Sequence, residues 1–178
     1  MLPIILALAV IAILFIVLIT GQPDEFKVSR SATISAPPEK VFPHVNDLHK
    51  WETWSPWARL DPAAKSIFSG PDAGTGAAMR WEGNNKVGVG TMTITDSKPS
   101  ETIRFRLNFE KPMKATNSAE FTFKPDGGQT SVTWSMAGKN SLGGKIFGLL
   151  MNCEKMVGGQ FERGLANLKS VVETAGSK

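Results

Sequence analysis

Between Met1 and Pro23 the sequence has no charged side chain, and from Ile4 to Ile19 it contains only Ile, Leu, Val, Ala and Phe. Those absences argue against a cleaved secretory leader. Such a leader carries a basic start, an apolar stretch of about 7–15 residues and an A-x-A-like cleavage site. Here no Lys or Arg precedes Lys27, the apolar run is longer, and "LITGQPDE" is a poor site. No Cys follows the run to take a lipid anchor. A core helix this apolar on every side would need protein all round it. The remaining reading is a helix that stays attached. Leu2 to Ile19 would measure roughly 27 Å at about 1.5 Å per residue, just enough for a bilayer core of about 30 Å. Residues 1–21 are therefore expected to form a single-pass transmembrane anchor, entering the membrane through residues 2–19, with 22–25 as a linker. The flanking charges orient it weakly, because Asp24 and Glu25 mix with Lys27 and Arg30. A short uncharged N-terminus is no obstacle to a signal-anchor, so the expected position of the domain is extracytoplasmic.

Other shortages narrow the chemistry. The single cysteine, Cys153, cannot form an internal disulfide and marks no redox compartment; it is expected to be a small buried residue. Tyrosine is absent, which removes a common proton donor. The net charge of +4 includes no two adjacent Lys or Arg, and acidic residues interleave with them. A nucleic-acid partner would call for clustered basic residues, so none is expected; the surface reads as solvated and compatible with anionic headgroups. Two histidines without a Cys or carboxylate cluster give no metal site, and no cofactor is expected. No P-loop, dinucleotide, GxSxG or HExxH pattern occurs. The acid–base candidates reduce to three. His44 would have Asp47 as its helical neighbour, a pair capable of general-base work. His49 and the turn-adjacent Glu82 are the others, and for all three a solvated surface role is the default.

What is present is periodicity. In "FKVSRSATI" Phe26, Val28, Arg30, Ala32 and Ile34 share one parity, predicting a first strand flawed by Arg30. "SAPPEKVF" has Ser35 near a cap and prolines before a helical turn, and Val41, Phe42, Val45 and Leu48 give that helix one apolar face. "NDLHKWETW" predicts a second short helix closed by Pro56. Gly83-Asn84-Asn85 marks a hairpin turn. "ETIRFRLNF" alternates cleanly, and "SAEFTFKPDGGQTSVTWSMAGK" predicts a hairpin about Pro125-Asp126-Gly127-Gly128. Such alternation implies a sheet with one covered and one solvated face. From Gly144 the period becomes helical, with Phe161, Leu165, Leu168 and Val172 as an apolar stripe. Gly158 and Gly159 interrupt it, predicting a kink or a close approach of sheet and helix.

The order is strand, two short helices, about six antiparallel strands and a long helix, an α+β domain over residues 26–174 with a tail at 175–178. The segments "SRSATISAPPEKVFPHVNDLHKWETWSPW", "WEGN", "VGVGTMTI" and "GGQFERGLANLKSVVE" resemble the START-like (SRPBCC) superfamily, and within it bacterial proteins of the polyketide cyclase/dehydrase and lipid-transport-like group. The resemblance covers roughly residues 26–173. It implies a helix-grip fold, a curved antiparallel sheet wrapped around the C-terminal helix with an apolar cavity between them. It implies no one reaction, since such proteins include carriers, receptors and ring-closing enzymes.

Three tryptophans in "WETWSPW" admit three readings: core packing of the short helices, lining of the cavity mouth, or a foot in the membrane interface. On the covered face, Met79, Trp81, Phe105, Leu107, Phe121, Phe123, Trp134 and Met136 are expected opposite Phe161 and Leu165. With Trp54 and Trp57 they make the candidate lining for a hydrophobic small molecule or lipid. The leading expectation is a membrane-anchored carrier domain. A cyclase-like enzyme on an apolar substrate and a non-catalytic interaction module are the alternatives.

Overall fold

The structure, a computed structural model, describes residues 2–150 and 153–175. An apolar helix α1 (Leu2–Thr20) precedes strand β1 (Glu25–Ile34), helix α2 (Pro38–Asn46), a 3-10 turn at Leu48–Lys50, the single turn α3 (Trp51–Trp54) and a second 3-10 turn at Trp57–Arg59. Strands β2 (Lys65–Ser69), β3 (Ala78–Glu82), β4 (Val89–Lys98), β5 (Thr102–Lys111), β6 (Ala115–Asp126) and β7 (Gln129–Lys139) follow, then α4 (Leu142–Leu150) and α5 (Cys153–Ala175). All seven strands form one antiparallel sheet in the order β1-β7-β6-β5-β4-β3-β2. The fold is α+β, a curved antiparallel sheet with a C-terminal helix across it, as the helix-grip expectation required.

Alternation decides which face is covered. Ile103 and Phe105 on β5, Phe121 and Phe123 on β6, and Val132 and Trp134 on β7 are buried, and their neighbours of the other parity carry charged groups on β5, Ser and Thr on β7 and both kinds on β6 to the solvated face. There Arg104 reaches Glu120 at 2.7 Å and Asp96 at 3.5 Å, and Arg80 holds Glu82 and Glu110. The helical stripe of α5 covers the other face: Phe161, Leu165, Leu168 and Val172 are all at most 4% exposed. In β4 the register shifts between Ile94 and Asp96, a bulge that adds local bend to the strand.

Arg30, the flaw in the first strand, has a purpose visible only in three dimensions. It lies on the covered face, where its Nε meets Glu162 at 2.6 Å and its Nη2 meets Glu154 at 2.7 Å. Glu154, Gly158 and Glu162 are four residues apart along one face of α5. A side chain at 158 would collide with the Arg30 guanidinium, so Gly158 is the close approach that the sequence predicted. Gly159 has open space around it.

Two local expectations are corrected. Ser35 does not cap α2: the cap position is Pro37, which offers no side-chain oxygen. Ser35 instead donates its backbone N–H to Glu173 at 2.7 Å, tying the start of α2 to the end of α5. Asp47 is not a helical neighbour of His44, because the chain leaves α2 at Asp47 in an extended conformation. It accepts from the His49 backbone N–H at 3.0 Å and approaches His49 Nδ1 at 3.1 Å, capping the 3-10 turn. The edge strand β2, too short and mixed to be placed individually by pattern, completes the sheet. The side chain of Cys153 and the expected tail beyond Ala175 lie outside the described residues.

Candidate functional site

The sheet and α5 do not meet everywhere. A cavity of about 240 Å³ lies between them, closed at one side by the segment from α3 to the second 3-10 turn. Its deep wall is aromatic. Trp134 stacks on Phe161 with centroids 4.1 Å apart, and Trp51 and Trp57 meet Trp134 edge-on at 6.0 and 5.5 Å. Met92 and Ala119 supply the buried floor on β4 and β6. Towards the other end the lining is half-buried: Trp81, Val87, Phe109 and Val157, with Trp81 and Phe109 edge-on at 5.6 Å. The half-buried group forms one mouth of the cavity, and Ser55, Trp57, Ala58 and the exposed Glu52 give a second accessible stretch of wall beside α3.

Trp81 lies flat there because Gly90, its register partner on β4, has no side chain. A Cβ at position 90 would run into the Trp81 ring and stand 2.6 Å from the Asn108 carbonyl oxygen. Polar groups in the lining are few: Glu52, Ser55 and Ser66. A wall of this composition gives an apolar guest surface contact and little directional recognition.

Of the residues expected to line a cavity, Trp57, Met79, Trp81, Leu107, Trp134, Met136 and Phe161 do so. Trp54, Phe105, Phe121, Phe123 and Leu165 do not; they fill the solid half of the interior, each at most 3% exposed. The division has a geometric cause. Parity puts all of them on one face, but only the sheet's curvature decides where helix and strand touch. Pattern reasoning therefore overlooked Trp51, Met92, Phe109, Ala119 and Val157. The parity of Phe109 with Leu107 was available in the sequence; the position of Val157 on the mouth was not.

The tryptophan cluster divides its labour. Trp51 Nε1 donates to the Val45 carbonyl oxygen and Trp54 Nε1 to that of His44, both at 2.9 Å. Both rings thereby satisfy carbonyls at the end of α2, which a helix C-terminus leaves without intrahelical donors. Trp54, 1% exposed, is core; Trp51 is core and cavity wall together; Trp57 is half-buried at the wall.

The acid–base candidates lie outside this lining. His44 sits half-buried on α2, and burial together with the nearby Lys50 lowers its pKa against the opposing pull of Asp47. His49 is exposed, stacked on Phe68 at 4.0 Å, and borders a second cavity of about 130 Å³ with Asp72 and Gly70. Glu82 is exposed and paired with Arg80 Nε at 3.1 Å. Among the described residues no group of three or more His, Cys, Asp or Glu is placed to hold a metal ion.

Comparison with known proteins agrees with this architecture. Among solved structures, protein MLL2253 from Mesorhizobium loti is similar at 16% identity and a TM-score of 0.62, covering 84% of this chain and 98% of its own. Protein CV1439 from Chromobacterium violaceum matches at 17% identity and 0.58, covering 85% and 99%. CalU16 from Micromonospora echinospora matches at 14% and 0.56, covering 85% and 87%. At such identities the likeness establishes the fold. No curated protein matches the chain. The sequence profile described as "Polyketide cyclase / dehydrase and lipid transport" matches residues 25–173, nearly the whole of the chain beyond α1, and the chain belongs to that family.

Proposed function

We propose that the protein is a membrane-anchored binding or carrier domain that holds a hydrophobic small molecule or lipid segment in the cavity between sheet and α5. The observation that carries the reading is the unfilled space of about 240 Å³ walled by Trp, Phe and Met. It falls just below the ~300–1,000 Å³ of ordinary ligand sites, which favours a compact guest or one portion of a longer chain reaching in through the mouth. Methionines at 79, 92 and 136 give the wall side chains that repack around different apolar shapes. Residues 1–21 serve as anchor, 22–25 as linker and 26–174 as the binding domain, held outside the cytoplasm. In support, Pro3–Thr20 is long and apolar enough to cross a membrane, and its side chains from Ile4 to Leu18 are exposed. Tethering beside a bilayer raises the effective concentration of a lipid-derived guest.

The test is direct. Full-length protein purified in detergent, exchanged into lipid nanodiscs and examined by native mass spectrometry is expected to retain an apolar compound in addition to the disc lipid. An environment-sensitive dye is expected to bind with a stoichiometry near one and to be displaced by membrane extract. Absence of both a retained compound and a saturable dye site would refute the carrier reading.

A further inference from the structure

One end of the domain differs from the other. The first residue of β1, the last of β7, the turn from β5 to β6, the loop from β3 to β4 and helix α4 all lie at the end where α1 joins the domain. There α4 contacts α1, and Lys145 on α4 reaches Asp24 of the linker at 2.6 Å. Two apolar side chains project outward from this end: Met113 at 46% exposure and Leu142 at 67%. Its acidic side chains are largely occupied. Asp24 is taken by Lys145, Glu82 and Glu110 share the single Arg80, Asp61 accepts the backbone N–H of Asn84, and the exposed Glu25 stands opposite Lys139 in the β1–β7 register. Lys86, Lys111 and Lys114 are exposed and outside the described salt bridges, with Lys111 and Lys114 near enough to Glu110 to help Arg80 hold its pKa down. With Lys65 opposite Glu82 at the same end, basic side chains outnumber acidic ones by a small margin around the exposed apolar tips. The mouth of the cavity, at Val87 and Phe109, opens between the same loops.

We infer that this end docks onto an anionic phospholipid surface, with Met113 and Leu142 dipping among the headgroups and Lys86, Lys111 and Lys114 over the lipid phosphates. The inference rests on the anchor and carrier reading above. Charge complementarity chooses the partner: surplus lysines beside exposed apolar residues suit a negatively charged leaflet. Continuity with α1 sets the orientation, because the four residues between the end of α1 and the start of β1 span at most about 13–14 Å at about 3.3–3.6 Å per residue and so hold this end close to the surface. A guest then passes between bilayer and cavity without crossing water.

The experiment uses the full chain in vesicles, in a Cys153→Ser background so that one thiol carries a polarity-sensitive dye. The dye is placed by Met113→Cys or, at the opposite end of the sheet, by Asp126→Cys. In vesicles of phosphatidylcholine with phosphatidylserine, the dye at 113 is expected to shift to shorter wavelength and to be quenched by lipids spin-labelled high on the acyl chain, with neither change at 126. Combining Lys86→Glu, Lys111→Glu and Lys114→Glu is expected to lower the docked-to-free ratio by roughly tenfold or more, as is raised salt. Pure phosphatidylcholine is expected to give the weaker signal of that triple variant. If the protein resists carbonate extraction yet the dye at 113 behaves like the dye at 126, docking is overturned and the anchor stands. If carbonate releases the protein, the anchor reading and this one fall together.

Discussion

Replacing Gly158 by Ala should stabilise the protein less with Arg30 present than without it, because the new Cβ falls where the guanidinium lies. Ala in place of a mid-helix Gly stabilises by about 0.8–1 kcal/mol. In this protein a Cβ at 158 collides with the Arg30 guanidinium, which must lift away from Glu154 and Glu162. The two carboxylates are 58% and 62% exposed, so their own loss is small, about 0–1 kcal/mol each. Arg30 also donates from Nη1 to the Ser29 carbonyl oxygen at 2.8 Å, a contact within its own strand that a shift of the guanidinium can keep. Displacing Arg30 therefore offsets much of the helix gain, and Gly158→Ala is expected to leave stability nearly unchanged. With Arg30→Ala the nearest obstacles are gone, and the same substitution should stabilise by about 1 kcal/mol. Urea denaturation of the detergent-solubilised chain, followed by tryptophan emission, measures all four corners of the cycle. All five tryptophans lie between positions 51 and 134, so the signal reports the folded domain and not α1. Coupling below about 0.5 kcal/mol, the additive limit for independent sites, would refute the clamp.

Further expectations concern the cavity, the tryptophans and acid. Ala119→Leu places three more carbons on the cavity floor and should weaken dye binding at least roughly tenfold while near-ultraviolet circular dichroism stays native, since the added volume enters open space; equal binding would place the dye elsewhere. Trp54→Phe keeps the ring in the core but strips the N–H from the His44 carbonyl oxygen, and should cost about 1–3 kcal/mol in urea denaturation. His44 has a folded pKa below its ordinary 6.5 because burial disfavours its charged form. Below that value the unfolded chain takes up a proton more readily than the folded one, so its contribution is complete above pH 6.5 and lost as pH falls through the folded value. His44→Gln should flatten that part of the stability profile between pH 7.5 and about 5; an unchanged slope would assign the loss to other groups.

The sequence announced its elements through period and its site only in outline. Alternation over Ile103, Phe105, Leu107 and Phe109 needed no structure to be read, because a strand puts every second side chain on one face whatever surrounds it. The stripe of α5 followed from the helical period in the same way. Arg30 was legible as an irregularity but not as a clamp, since its partners stand 124 and 132 residues further along. The same limit explains the site. Phe105 and Leu107 are equivalent by parity, yet one packs solidly and the other faces open space. What separates them is where the helix lifts from a bent sheet, a property of the whole surface. His44, His49 and Glu82 stood out by residue type, and type alone carries no information on which way a side chain points.

The separation of solid and hollow halves has a mechanical consequence. Trp54, Phe121 and Leu165 fix α5 to the sheet at the end remote from α1, and Ser35 with Glu173 fastens its last turns there. Nearer the mouth, Glu154 and Glu162 hold Arg30 and Val157 is only half-buried, before Phe161 stacks on Trp134. Free energy of local opening follows the density of buried apolar contacts, so the start of α5 should move before its end does. Widening at the mouth then leaves the aromatic floor in place. On the carrier reading, a guest would then enter without loss of the core, and the Arg30 contacts to Glu154 and Glu162 would limit how far the start of α5 opens. Hydrogen exchange by mass spectrometry is expected to show faster exchange in residues 154–160 than in 164–172, and Arg30→Ala should widen that difference. Uniform protection along α5 would mean that the helix lifts as a single rod, and the clamp would then have no part in admitting a guest.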